Sequence, residues 1–281
     1  MASVAVVGAG ELGGSIAQAL AAGGTASRVV LIDATGAVAR GKALDLMQAG
    51  AISGHHVRLE ATGDPMAVAG CDAVVLADVA ALGAGEWRGD DGFALLGRLY
   101  HYSAGAPLIL AGASQHELVP RALRELRVPT RQIFGSAPEA LLSAIRALVA
   151  ADVPCSPSEV GLGLVGRPGG WIIPWSEGTV GGYAITRVLT QARLARLEAR
   201  CARLWPLGPS VLGLAAARAA EAVLIGSRRA CHVLTVARPD SAAGSPVTTV
   251  PVCLGPAGIV EHLTPYLSSR DSVHLDTVLG S

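Results

Sequence analysis

The stretch Val4-Ala5-Val6-Val7-Gly8-Ala9-Gly10-Glu11-Leu12-Gly13 places three glycines, spaced G-x-G-x-x-G, directly after an apolar run. That spacing has a physical use. Gly8 permits a tight turn, and Gly10 lets the backbone approach a pyrophosphate at the N-terminus of the following helix, whose first amides lack partners. Gly13 lets that helix lie close to the strand. Asp33 closes the next apolar run, 20 residues beyond Gly13. A carboxylate there accepts hydrogen bonds from a ribose hydroxyl and repels a phosphate. Ala34 follows it, with no arginine to neutralise one, so NAD is expected over NADP. Gly8, Gly10, Glu11, Leu12, Gly13 and Asp33 are the expected cofactor-binding residues. The alternative is a glycine-rich turn that binds nothing.

Other reactive residues give weaker patterns. His55 and His56 are adjacent, so their side chains diverge, and no third metal ligand is visible. The five cysteines, Cys71, Cys155, Cys201, Cys231 and Cys253, form no C-x-x-C pair. Reduced, mostly buried thiols in a cytoplasmic protein are expected, with no metal. Gly112-Ala113-Ser114-Gln115-His116 suggests a nucleophile elbow at Ser114, but His116 stands where its second glycine is needed. His116 is read as a surface histidine on the first turn of a helix, or else as a proton carrier near neutral pH.

These residues need a scaffold. VAVVGAG, RVVLID, VRLEATG, DAVVLAD, APLILAGAS and RQIFGS read as strands, with helical runs between most of them. Strands apolar on both faces and alternating with helices imply a parallel sheet covered on two sides. After Gly135 the pattern changes. EALLSAIRALVAADV is a helix, and EVGLGLVGRPGGWIIPW and TVGGYAI are strands joined by turns. ITRVLTQARLARLEARCARLW is one long helix, and SVLGLAAARAAEAVLIGS is a small-residue helix able to pack closely. CHVLTVARP, VTTVPVCLG and GIVEHL are antiparallel strands ending in a helix. The expected fold is α/β, a Rossmann doubly wound parallel sheet over residues 1–135 followed by an α+β domain over 136–281.

Composition narrows the partners. Lys+Arg and Asp+Glu both number 22, so the formal net charge is zero, which argues against a nucleic acid or an anionic membrane. Hydrophobic residues make up 51% and charged residues 16%, enough for a large core. Low net charge is compatible with self-association. Neither a secretory signal nor a membrane span is read. Lys42 is the only lysine, read as compositional bias.

In order and spacing, GAGELG, LID at Leu31, GKALDL at Gly41 and TGDP at Thr62 resemble the lactate/malate dehydrogenase family. So do EGTVGGYAI at Glu177, PSVLGLAAARAAEAVL at Pro209 and VPVCLGPAGIVEHL at Val250. The resemblance spans nearly the whole chain. It implies NAD as cofactor, a homodimer or homotetramer, and Ala77, Ser114 and Gln115 beside the cofactor. It also implies a histidine that takes the substrate proton, an aspartate that orients it, and two arginines. Ungapped alignment puts Arg88 at the mobile-loop arginine and Leu82 at the substrate-selecting position. Leu141 falls at the aspartate, Ala144 at the carboxylate-binding arginine and Pro168 near the histidine. No histidine stands between His116 and His232, so no shift of alignment restores it. In this the chain is similar to the dehydrogenase-like half of a ubiquitin-conjugating-enzyme-variant fusion. The expected protein is a divergent NAD(H)-binding member that does not act on lactate or malate by the histidine–aspartate route. Arg88 is its one surviving candidate for chemistry, and any substrate is a less acidic, more apolar carbonyl or alcohol. The alternative is a catalytically silent NAD-binding sensor or interaction subunit.

Overall fold

A computed structural model describes residues 2–81, 85–237 and 245–280. The first half alternates strands and helices. β1 (Ser3–Val7), α1 (Glu11–Gly23), β2 (Arg28–Ile32), α2 (Gly36–Ser53), β3 (Arg58–Thr62) and β4 (Ala73–Leu76) come first. α3 (Gly89–Tyr102), β5 (Leu108–Leu110), α4 (Leu118–Glu125) and β6 (Ile133–Gly135) follow. The six strands pair in parallel in the order β3-β2-β1-β4-β5-β6. This is the doubly wound Rossmann arrangement, whose strand order reverses between β1 and β4.

The apolar runs form buried strands because both faces are covered. Along β1, Val4 and Val6 enter one core and Ala5 and Val7 the other, as a period of two requires. The first core receives Leu12, Ile16 and Leu20 from α1, spaced i, i+4, i+8 on one helix face. The second receives Leu95, Leu96 and Leu99 from α3. Each fully buried aliphatic side chain contributes about 1.5–3 kcal/mol.

The second half runs through α5 (Ala137–Asp152), β7 (Val160–Gly161), β8 (Val165–Arg167), β9 (Gly170–Ile172), β10 (Thr179–Val180) and β11 (Tyr183–Ala184). It ends with α6 (Ile185–Val188), α7 (Gln191–Cys201), α8 (Pro209–Ile225), β12 (Ser227–Val236), β13 (Val247–Gly255), β14 (Gly258–His262) and α9 (Ser269–Gly280). The single helix expected from Ile185 onward is two. Leu189 and Thr190 are extended (ψ 137° and 155°), and Leu189 is buried, so the chain turns there to fill the core.

The sheet does not stop at residue 135. β12 pairs antiparallel with β6 at Leu234 and Gly135, and β13, β8 and β9 extend it, with β14 beside β13. α8 lies on the first core, its Ala216, Ala217 and Ala220 buried there. A Cβ at Gly213 would stand 2.5 Å from Ser15 Oγ, so the small residues of α8 serve close contact with α1 within the chain.

Candidate functional site

The C-terminal ends of β1, β2, β4 and β5 converge where the strand order reverses, the place where ligands bind in open α/β sheets. Gly8 sits at φ +116°, and a Cβ there would meet Asp78 O at 1.9 Å. Only glycine makes this turn. A Cβ at Gly13 would meet Gly8 O at 2.0 Å, which explains the last glycine of the motif. Glu11 opens α1 at the exposed surface, and Leu12 is buried beneath it.

Gly10 caps α1 without a side-chain hydrogen bond. The cap comes instead from a distant residue. Leu12 N donates to Asp78 Oδ2 at 2.9 Å and Gly13 N donates to Asp78 Oδ1 at 2.8 Å. The Asp78 carboxylate thus satisfies two first-turn amides and faces the positive end of the helix dipole. A Cβ on Gly10 would lie 2.2 Å from Asp78 Oδ2, so the space left by that glycine is taken up by Asp78. Lys42 Nζ donates to Gly10 O at 2.6 Å, placing the only lysine of the chain at this loop.

Two more carboxylates hold the neighbouring loops. Asp33 Oδ2 accepts from Ala9 N and Ala80 N, and Oδ1 accepts from Thr35 N, at 2.8–3.0 Å. Asp33 is 4% exposed and ties the glycine loop to the loop after β4. Glu86 Oε1 accepts from Ala113 N at 2.9 Å, and its Oε2 accepts from Ser114 N and from the Ser114 hydroxyl. The flanking backbone doubles back, with Val79 N donating to Gly85 O and Trp87 N to Ala77 O. In sequence Glu86 stands just ahead of α3, where a carboxylate complements the helix dipole. In the fold it caps the loop after β5, while Asp90 and Asp91 occupy the first turn of α3. Gln115 is fully buried, its Oε1 accepting from Gly112 N at 2.8 Å and its Nε2 donating to Ala77 O at 2.7 Å. It braces β4 against the loop after β5. Ala77 is buried at the end of β4.

The residues expected to do chemistry are spread apart. Arg88 caps α3 in extended backbone, exposed, with no ion pair among the described residues. Leu82 lies outside the described residues. His116 Nδ1 lies 3.3 Å from Ala113 O, on a 3-10 turn. Pro168 occupies the turn between β8 and β9, where a pyrrolidine ring moves no proton. Leu141 is buried in α5 and Ala144 half-buried.

A histidine–carboxylate pair does exist elsewhere. Glu139 Oε2 accepts from His232 N at 2.8 Å and lies 3.3 Å from His232 Nδ1. Arg146 Nη1 reaches Glu139 Oε1 at 3.5 Å. Burial pushes the Glu139 carboxyl up, but His232 and Arg146 outweigh it and hold it below the usual range. These three line a cavity of about 310 Å3 between α5 and α8, and no residue of the glycine loop, nor Asp33 or Asp78, lines it.

For a dinucleotide the fit is divided. The strand, the turn at Gly8 and the close packing at Gly13 suit one. The amides of Leu12 and Gly13 are held by Asp78. Asp78 belongs to no motif in the sequence, and Lys42 reads there only as compositional bias. The available signal for Asp78 was its place immediately beyond an apolar strand of a parallel sheet, on the edge that carries the glycine loop.

Residues 2–91 match the family model for the NAD-binding domain of lactate/malate dehydrogenase. A malate dehydrogenase of Methanosarcina mazei is 27% identical over 283 residues, covering 94% of this chain and 91% of that protein. One from Thermomicrobium roseum is 27% identical, covering 97% and 93%. Among solved structures, malate dehydrogenase from Salinibacter ruber superposes with a TM-score of 0.85 at 22% identity, covering 99% of this chain and 94% of that one. The lactate dehydrogenase of Cryptosporidium parvum, solved with lactic acid and nicotinamide adenine dinucleotide, does so with a TM-score of 0.85 at 20% identity, covering 99% and 95%.

Proposed function

From the premise that this chain belongs to the lactate/malate dehydrogenase family and carries its NAD-binding domain, we propose that it is an NAD(H)-binding protein that does not turn over lactate or malate by the family's histidine–aspartate route. One observation carries the reading. The glycine loop, with its strand and helix, stands in full, while the turn expected to bear the proton-transferring histidine bears Pro168. Bound NAD supplies a hydride acceptor. The chain must supply a group that takes the hydroxyl proton and a cation that holds the substrate carboxylate. Leu141 and Ala144 do neither. A carboxylate substrate buried without its arginine is an unpaired charge, costing several kcal/mol. Any substrate is therefore a less acidic carbonyl or alcohol, approached by Arg88 from its loop.

Gly8, Gly10, Glu11, Leu12, Gly13, Asp33, Ala77, Ser114 and Gln115 form the cofactor side of this reading. Asp33 supports the loop through three amides, and Gln115 supports Ala77. A cytoplasmic homo-oligomer is the accompanying expectation. The exposed Leu44, Met47 and Ile52 of α2 and Leu214 and Ile225 of α8 support self-association.

The test is a titration with NADH followed by turnover assays with oxaloacetate, pyruvate and a panel of neutral carbonyls and imines. Binding of NADH without oxidation by oxaloacetate or pyruvate is expected, and oxidation by either at a rate ordinary for a dehydrogenase refutes the proposal. A second reading, a silent NAD-binding sensor or interaction subunit, is favoured by the loss of the proton carrier and is distinguished by no turnover across the whole panel.

A further inference from the structure

On a strand–glycine loop–helix unit, a dinucleotide lays its pyrophosphate against the N–H groups that open the helix. Here two of those groups are already donated. Leu12 N and Gly13 N each bond one oxygen of Asp78, at 2.9 and 2.8 Å. The side-chain-free space at Gly10, the feature that lets a pyrophosphate approach, is filled to within 2.2 Å by the same carboxylate. A carboxylate and a pyrophosphate are both anions, and they cannot share one pair of donors. Side by side they also repel.

We propose that Asp78 is an internal competitor for the dinucleotide, the residue that sets NAD(H) affinity by occupying the pyrophosphate cradle until it is displaced. The proposal rests on the NAD(H)-binding reading above, and the match of residues 2–91 to an NAD-binding domain identifies the displacing ligand independently of the helix end. Asp78 is the competitor, and Asp33 and Glu86 are not, because only Asp78 bonds the first turn of α1. Asp33 and Glu86 bond loop amides at Ala9, Thr35, Ala80, Ala113 and Ser114. Rotation of the Asp78 side chain frees both α1 amides without altering the backbone bridge between Asp78 and Glu86. Lys42 bonds Gly10 O and so places a cation on the same loop.

Affinity is measured by NADH fluorescence titration, checked by calorimetry, on the full chain and on Asp78→Asn and Asp78→Gly. Circular dichroism melting confirms that each is folded. Asn keeps the shape and removes the charge, and it decides the question if the glycine variant does not fold. The removed charge in both variants, with one α1 amide freed in Asp78→Asn and both in Asp78→Gly, is expected to tighten NADH binding by on the order of tenfold in the first and up to about a hundredfold in the second. If the wild type and both variants bind NADH equally, Asp78 is no competitor, and the NAD(H) reading stands without it. If none of the three binds NADH at millimolar concentration, the NAD(H) reading falls and the proposal falls with it.

Discussion

Three carboxylates share one task at the sheet edge, and Asp33 carries the largest part of it. It accepts from the backbone of Ala9, Thr35 and Ala80, joining three loops that are separate in sequence. Asp33→Ala leaves three main-chain donors without an acceptor in a site where the residue is 4% exposed. The Ala9 donor is buried and the Thr35 and Ala80 donors are part-buried; an unsatisfied buried donor costs about 1–3 kcal/mol, so a loss on the order of 2 kcal/mol is expected in urea unfolding. A loss below about 1 kcal/mol would mean that water replaces the carboxylate and that the loops do not depend on it. The sequence singles out this residue as a ribose acceptor because its spacing from Gly13 belongs to a local βαβ unit, while its role in joining loops is carried by contacts that no local pattern shows. Asp78 is not singled out, because its donors Leu12 and Gly13 precede it by more than sixty residues. Local pattern cannot report which strand end comes to face a helix N-terminus. Glu86 shows the same limit: beside α3 in sequence it resembles dipole charge, yet its donors lie on the loop after β5.

At the scale of elements, α5 is joined to β12 through one carboxylate. Glu139, in the first turn of α5, meets the backbone N–H and ring of His232 and the guanidinium of Arg146. Its carboxyl lies below its ordinary value of 4.5 in the folded chain. A depressed carboxylate stabilises the fold fully above its unfolded value, and that contribution is lost as pH falls through the folded one. Melting temperature is therefore expected to fall as pH drops below about 4.5, and to fall less steeply in Glu139→Gln. Identical pH profiles for the two proteins would show that the pair contributes nothing to stability. The fully apolar strands were readable as elements because burial on both faces leaves no polar positions. The two-residue strands β7, β10 and β11 fall inside the segments that read as strands joined by turns, but their bounds were not readable because two residues carry no periodicity. The break between α6 and α7 was hidden because helix propensity continues across Leu189 and Thr190, while the core draws Leu189 inward.

The whole molecule is bound together more tightly than a division at residue 135 suggests. β6 pairs with β12, so the sheet crosses that point without a gap. The first core takes Val4, Ile16 and Phe134 from one side of it and Ala216, Val223 and Val252 from the other. α8 covers α1 so closely that Gly213 has no room for a methyl group. A chain ending at residue 135 would expose the face of α1 and β4 that α8 covers and leave the edge of β6 unpaired, an invitation to edge-to-edge association. Residues 1–135 alone are expected to aggregate or to lack a cooperative melt, whereas the full chain is expected to unfold in one calorimetric transition, its calorimetric and van't Hoff enthalpies agreeing. Two resolved transitions, or a soluble 1–135 fragment with a sharp melt of its own, would show that the halves fold independently despite the shared core. The same continuity bears on the cofactor edge. Gly213 of α8 abuts Ser15, one turn beyond the Glu11–Leu12 opening of α1, so substitutions in α8 reach the N-terminal end of α1, the proposed dinucleotide site, through that helix. Gly213→Leu, which forces α1 and α8 apart, is accordingly expected to weaken NADH binding along with stability. An unchanged NADH affinity in a destabilised Gly213→Leu would confine the coupling to folding alone.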